Sequence, residues 1–126
     1  MTRLPYQYVV LRCVPRVDRE EFVNVGVVLH SQAADFLRAA HHVDEERLRA
    51  LSPSVDLAAV ESALTAVSDV CQGTSATSRP DLDTLGRRFG WLSAPRSTVL
   101  QPGPVHSGVT DDPAATLADL LARFVS

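Results

Sequence analysis

The sequence contains no lysine and no isoleucine, and Asn24 is its single asparagine. All twelve basic residues are therefore arginine. The codons of the missing residues are rich in A and T, so this bias indicates a bacterial source with a GC-rich genome. Although arginine is the residue that best matches phosphate groups, its abundance here does not by itself indicate phosphate binding.

Long apolar runs are also missing. No stretch approaches the roughly 20 apolar residues of a membrane helix, and residues 1–14 lack both the apolar run and the cleavage site of a signal peptide. We therefore expect a cytoplasmic protein without a membrane association. The two cysteines, Cys13 and Cys71, lie in apolar periodic segments, which favours reduced core thiols over a disulfide.

The usual sequence marks of catalysis are absent. The four histidines show no paired spacing, and the adjacent His41 and His42 would point to different sides, so no metal site is expected. No glycine-rich phosphate loop or nucleophile elbow occurs, and we expect no cofactor. The sequence leans against an enzyme, and the net charge of −3 disfavours nucleic acid as a partner.

What the chain does contain is enough apolar material for one core. It has 126 residues, of which 45% are hydrophobic and 21% charged. These proportions are typical of a globular protein and argue against disorder. With no repeat and no long linker, residues 1–126 are predicted to form a single domain.

Three apolar segments predict strands. Residues 6–14 are rich in β-branched and aromatic residues and end before Pro15. Residues 22–30 form a similar segment, in which Gly26 indicates a bulge or the close approach of another group. Residues 35–40 fit either a short third strand or the start of a helix, and we favour the strand because it gives the simplest topology.

The alternation along these strands predicts their faces. In the second strand, one face is fully apolar and holds Val23, Val25, Val27 and Leu29. The opposite face is mixed and holds Phe22, Asn24, Gly26, Val28 and His30. A single apolar face predicts an α+β fold, in which a small antiparallel sheet of three to four strands, starting with an N-terminal hairpin, carries helices packed on one face.

Two helices are predicted in the middle of the chain. The first follows Asp44, which suits an N-cap, and runs to about Leu51. The second spans residues 55–72, where apolar residues recur at helical spacing, and Gly73 suits its C-cap.

The C-terminal part predicts two more helices and a short strand. A short helix is expected over residues 82–89 and an edge strand over residues 98–101. The last helix begins with Asp112 as its N-cap and Pro113 at its first position. Its apolar stripe, which should pack on the sheet, consists of Leu117, Leu120, Leu121 and Phe124.

Two groups of polar residues are candidate binding sites. The first lies in the loop over residues 94–112, since long loops in compact domains are often functional; it comprises Arg96, Ser97, Gln101 and His106. The second lies on the mixed sheet face and comprises Arg12, Asn24 and His30. For both groups the alternative is a structural role, as ion pairs, loop hydrogen bonds or a solvated face.

Residues 6–30 and 88–125 resemble a bacterial family of unknown function, DUF3037. The resemblance is carried by a strand that ends in R-C-V-P-R, by E-F-V-N-V-G-V-V-L, and by R-S-T-V-L-Q and V-H-S-G. It implies no activity and therefore no catalytic residues. Because genes of the family lie near genes of HipA-like kinases, the resemblance also implies a protein partner of that kind.

Two functions fit these observations. The first is a small interaction or regulatory module that acts with a partner protein, with a HipA-like kinase as the implied example. The alternative is an enzyme or small-ligand binder that uses the polar 94–112 loop on a phosphorylated or anionic substrate. Convergence of Arg96, Ser97, Gln101 and His106 on one pocket would favour the alternative.

Overall fold

The computed structural model describes residues 3–73, 82–96 and 98–125. It has an open antiparallel sheet of five strands and four helices, so the predicted α+β class is confirmed. The strands are β1 (Leu4–Cys13), β2 (Val23–Ser31), β3 (Phe36–His41), β4 (Leu100–Pro102) and β5 (His106–Thr110). The helices are α1 (Glu45–Leu51), α2 (Leu57–Gln72), α3 (Leu85–Ser93) and α4 (Pro113–Phe124).

Strand β1 is central in the sheet. One of its edges pairs with β2, which in turn pairs with β3, so the predicted hairpin and third strand are both present. Its other edge pairs with β4 at Leu11–Cys13 and with β5 at Leu4–Tyr8. The strands β4 and β5 thus follow one another along the same edge, separated by residues 103–105.

A β-bulge in β2 reverses the predicted facing of half of that strand. Leu11 is opposite Gly26, whereas the next residue, Arg12, is opposite Asn24, so Val25 is an extra residue in the register. Such an extra residue shifts the alternation by one position. The predicted continuous apolar face is therefore wrong, although the bulge itself agrees with the sequence signal at Gly26.

The two faces of the sheet carry separate hydrophobic clusters, both packed against helices. One cluster joins β1, β2 and β4 to helices α1, α2 and α3, and its fully buried members include Val9, Val25, Leu48, Val60 and Leu64. The other joins β2 to α4 through Val27, Leu29, Leu117 and Leu120. The expectation that helices cover only one face is corrected, because α4 takes the face opposite to the other three helices.

The helix ends follow the sequence signals. The side chains of Asp44, Asp56 and Asp112 each accept a hydrogen bond from a backbone N–H of the first turn. Gly73 ends α2 with a φ of 72°, in the left-handed region that glycine adopts readily. No helix in the described part of the chain has the length and apolar character needed to span a membrane.

Two predicted segments are displaced. Helix α3 begins at Leu85, after the N-cap Thr84, and extends to Ser93, later than the predicted 82–89. The predicted strand over residues 98–101 is β4, Leu100–Pro102, and much of the expected 94–112 loop is ordered as β4 and β5. Hydrogen bonding to β1 gives this segment regular structure that its prolines and glycines did not suggest.

Candidate functional site

Four of the seven candidate residues lie on the α4 side of the sheet. Arg12 is directly opposite Asn24 on β2 and Gln101 on β4, and His106 is opposite Tyr8 of β1. Residues paired in this way project from the same face. Strand pairing therefore brings Gln101 and His106, predicted as part of the loop site, next to Arg12 and Asn24 of the sheet site.

Arg12, Asn24 and His106 line a groove, called here the Arg12 groove, with a volume of about 290 Å³. Its lining residues are Tyr8, Val10, Arg12, Phe22, Asn24, Gly103, Pro104, His106 and Phe124. A neighbouring cavity of about 320 Å³ shares Arg12 and Phe22 with the groove and also contacts Glu20 and Gln101. The Arg12 groove is near the lower end of the roughly 300–1,000 Å³ of ligand pockets, so it suits one or two side chains of a ligand.

The Arg12 side chain crosses the boundary between the groove and the neighbouring cavity. Its guanidinium carbon lies 4.3 Å from the centre of the Phe22 ring, a cation–π contact. A Cβ on Gly103 would lie 3.3 Å from Cζ, Nε and Nη2 of Arg12, so glycine leaves room for the guanidinium. Arg12 has no ion pair with a described residue, and its buried Nε has no hydrogen-bond partner.

Asn24 lies opposite Arg12 and has an amide of fixed orientation. Its Nδ2 donates to the backbone oxygen of Phe124 at 3.1 Å, which fixes the orientation of the amide. Its Oδ1 is buried and accepts no hydrogen bond. A buried polar atom without a partner costs about 1–3 kcal/mol, and this acceptor, like Nε of Arg12, is enclosed by protein atoms.

Aromatic rings form the walls of the groove. The ring of Tyr8 is stacked on His106, with centroids 5.3 Å apart, and on Phe124, with centroids 6.3 Å apart. Phe22 and Phe124 are 45% and 37% exposed. The groove therefore combines aromatic surface that is still in contact with water and a cation that has no anionic partner.

His30 lies on the other side of the sheet, contrary to its predicted place beside Arg12 and Asn24. It is buried and stacked on Phe89 of α3, with centroids 5.3 Å apart. Burial lowers the pKa of its imidazole below the ordinary value of 6.5. The bulge at Val25 is the cause, because it changes the face to which every later residue of β2 points.

Arg96 has a structural role at the end of α3. Its guanidinium donates to the backbone oxygens of Trp91 and Ala94 and lies 4.5 Å from the centre of the Trp91 ring. These carbonyls belong to the last turn of the helix and its cap, where intrahelical donors run out. Ser97 lies outside the described residues, so its predicted role in the loop site has no structural description.

The aromatic walls are the part of the site that the sequence reading did not identify. Phe124 was predicted as part of the apolar stripe of α4, Phe22 only as a member of the mixed face of the second strand, and Tyr8 only as part of the strand over residues 6–14. Their signal was the recurrence of aromatic residues on the face that carries Arg12.

Metal coordination has no support in the described ranges, which hold no group of three or more His, Cys, Asp or Glu side chains that could ligate an ion.

The groove supplies groups for binding. Arg12 offers a positive charge to an anion, and the rings offer flat apolar surface. Gln101 adds an amide beside Arg12, although its Nε2 already donates to the backbone oxygen of Thr98 at 2.9 Å.

Comparison with known proteins gives one match. The sequence model of the family described as "Protein of unknown function (DUF3037)" matches residues 8–125, nearly the whole chain. Neither the curated proteins nor the solved structures contain a match. The matched range includes every lining residue of the Arg12 groove. The chain therefore belongs to the DUF3037 family.

Proposed function

We propose that this protein is an interaction module that binds a partner protein through the Arg12 groove. The observation that carries the proposal is the unpaired cation of Arg12 between exposed aromatic rings. Aromatic and arginine side chains contribute most of the binding energy in many protein interfaces. The Arg12 groove concentrates both residue types on one face.

The energetics favour a partner over solvent at this place. Phe22 and Phe124 keep 45% and 37% of their surface exposed, and burying apolar surface contributes roughly 25 cal/mol per Å². Arg12 gains a charge-assisted contact when an anion approaches, worth about 1.5–3 kcal/mol. Both gains require the face to be covered by a second molecule.

The experiment is affinity capture from the native host with four forms of the protein. Wild type, Arg12→Gln and Phe22→Ala are compared with Arg38→Gln as a matched control. Arg38 also lies over a phenylalanine, with its Cζ 4.8 Å from the centre of the Phe36 ring, but it does not line the groove. A HipA-like kinase is the first candidate partner to look for by mass spectrometry.

A stoichiometric partner retained by wild type and Arg38→Gln, and lost by the two groove variants, supports the proposal. Retention of the same partner by all four forms would place the interface elsewhere. Circular dichroism of each variant separates loss of binding from loss of folding.

A small anionic ligand is the second candidate, because the cavity next to the groove places Gln101 beside Arg12. Arg96 does not belong to this site, since its guanidinium is bonded at the end of α3. Thermal unfolding in inorganic phosphate tests the idea. A rise in melting temperature that Arg12→Gln abolishes and Arg38→Gln keeps would favour the ligand, and an equal response of all three forms would remove it.

A further inference from the structure

Strand β5 has one edge that no described part of the chain covers. Its inner edge pairs with Leu4–Tyr8 of β1. Among the described residues, no other strand pairs with β5, and no loop makes a backbone hydrogen bond along its outer edge. Since alternate residues of an antiparallel strand direct their N–H and C=O groups to each side, this outer edge presents peptide groups with which a further strand can pair.

The other edges of the sheet carry features that oppose such pairing. Strand β3 contains Arg38, and α2 and α4 both pack against it. Strand β4 ends in Pro102, and the following residues 103–105 form a bulge, because these three residues stand opposite only two residues of β1. Charges, prolines and bulges are the means by which natural sheets keep their edges from pairing. Strand β5, with the sequence HSGVT, has no arginine, carboxylate, proline or register shift.

The β5 edge also keeps apolar surface in contact with water. Val109 is 49% exposed, and Val105, which directly precedes the strand, is 46% exposed. No acidic or basic side chain of β5 loses its hydration when a second strand covers this edge. An exposed, uncharged and regular edge strand is a site to which another chain can add a strand.

Two-fold symmetry makes β5 complementary to itself. When two copies pair antiparallel about Gly108, residue 106 of each lies opposite residue 110 of the other and residue 107 lies opposite residue 109, so all five residues pair. Asp111 and Asp112, which follow β5, then lie at opposite ends of the pair of strands. A parallel arrangement would instead place these carboxylates of the two copies side by side.

The distribution of charge also favours the antiparallel register. Its continuation beyond the strands places Asp111 and Asp112 of one copy beside residues 103–105 of the other. This segment contacts the cation of the Arg12 groove, since a Cβ on Gly103 would lie 3.3 Å from the Arg12 guanidinium. Neither Arg12 nor Asp111 has an ion pair with a described residue. Each acidic end would therefore approach an unpaired cation of the other copy.

We propose that this chain associates with a second copy of itself through β5, antiparallel and about Gly108, so that the two sheets become one continuous sheet. The two-fold axis is then perpendicular to the sheet, so both Arg12 grooves lie on the same side of the dimer. A partner with two binding segments gains affinity from both grooves, because binding of the first raises the effective concentration of the second. Such a dimer forms whether or not a partner occupies the grooves.

Sedimentation velocity of the full chain over a range of concentrations measures this association. Wild type is compared with Val109→Lys, which adds a charge to the edge of β5. The matched control is Val17→Lys, which adds the same charge at a residue that is 44% exposed but lies outside the sheet. Asp111→Asn removes one charge from each acidic end, and circular dichroism checks that every variant is folded.

Cysteine cross-linking tests the register. A mixture of Ser107→Cys and Val109→Cys chains is placed under mild oxidation and compared with each variant alone. Positions 107 and 109 of different copies lie opposite each other across the interface, whereas two copies of position 107, or of position 109, are diagonal neighbours farther apart. The native Cys13 and Cys71 are buried, so they do not compete for the new thiols.

We expect wild type to form a dimer with increasing concentration and Val17→Lys to match it. Val109→Lys should associate at least about tenfold more weakly, because like charges then meet across the interface. Asp111→Asn should weaken association about two- to tenfold and reduce its dependence on salt. The mixture of cysteine variants should form a covalent dimer faster than either variant alone.

A wild-type protein that stays monomeric up to millimolar concentration would overturn the inference, as would equal weakening by Val17→Lys and Val109→Lys. Cross-linking of a single cysteine variant as fast as the mixture would exclude the antiparallel register about Gly108. If the protein is monomeric, yet Val109→Lys loses a captured partner that Val17→Lys keeps, then β5 pairs with a strand of another protein and not with a second copy.

Discussion

Replacing Gly26 with alanine should destabilise the protein, although alanine normally stabilises a chain relative to glycine. An ideal Cβ at Gly26 lies 3.0 Å from the backbone oxygen of Ala40 and 3.3 Å from both Cβ of His41 and Cδ1 of Leu11. The closest of these atoms is backbone on the neighbouring strand, so β3 must shift to make room. Gly26 is next to the bulge in β2 and is paired with both Leu11 of β1 and His41 of β3.

The magnitude follows from two opposing effects. Overpacking of a well-packed site costs about 1–3 kcal/mol, and removing glycine from a strand returns about 0.5–1 kcal/mol. We expect Gly26→Ala to lower the free energy of unfolding by about 1–2 kcal/mol. For a chain of this size, that loss corresponds to a fall in melting temperature of about 3–10 °C.

The assay is urea unfolding followed by circular dichroism, with the slope of the transition checked for constancy. Gly86→Ala in α3 is the control, because a Cβ there meets no atom within 4 Å. That variant should gain roughly 0.5–1 kcal/mol from helix propensity. A Gly26→Ala protein as stable as wild type, or a Gly86→Ala protein equally destabilised, would refute the reasoning.

Three further outcomes are expected. Arg96→Ala should lower the free energy of unfolding by about 1–2 kcal/mol, because the hydrogen bond to the Trp91 carbonyl is lost, and should leave partner capture unchanged. Reduced capture by a folded Arg96→Ala protein would show that Arg96 takes part in binding. Burial lowers the pKa of His30 in the folded protein, so the unfolded chain binds a proton there more readily. The free energy of unfolding in urea should therefore fall as the pH drops below about 6.5. His30→Gln should reduce this pH dependence, and an unchanged dependence would show that His30 is not its source. Burial raises the pKa of Cys13, and that of Cys71 to about 11, so both thiols should react with Ellman's reagent at pH 8 only after denaturation; rapid labelling of the native protein would show that they are accessible.

Local signals predicted the elements well because each has a local physical cause. Asp44 and Asp112 were assigned as N-caps from their place before helical apolar spacing, and both accept the expected backbone hydrogen bond. Gly73 was assigned as a C-cap and has a positive φ. The hairpin followed from β-branched and aromatic composition, whereas the third strand, predicted over residues 35–40 and observed over Phe36–His41, followed from the simplest topology.

The faces of the sheet were harder to predict because they depend on register. A single extra residue at Val25 placed His30 on the opposite side from Asn24. The presence of glycine indicated that a bulge was possible, but alternation alone could not fix its position or its effect on later residues. The prediction of a single covered face failed for the same reason.

The composition of the site depended on contacts between distant parts of the sequence. Gln101 and His106 reach Arg12 and Tyr8 only through pairing of β4 and β5 with β1, which no local pattern indicates. Arg96, adjacent to the same segment, is instead held at the end of α3. Strand pairing thus separated the loop candidates: His106 lines the groove, Gln101 lines the neighbouring cavity and Arg96 lies at the end of α3.

The position of β1 between early and late strands also sets the order in which the molecule can be completed. Strands β1, β2 and β3 are consecutive and can pair as soon as residues 4–41 have been synthesised, because contacts between near neighbours cost little loop entropy. The second edge of β1 can be paired only after β4 and β5 have been synthesised, and Phe124 of α4 follows them in the sequence. The groove therefore exists only once synthesis has passed Phe124, so a partner that binds there distinguishes chains that include α4 from shorter nascent ones.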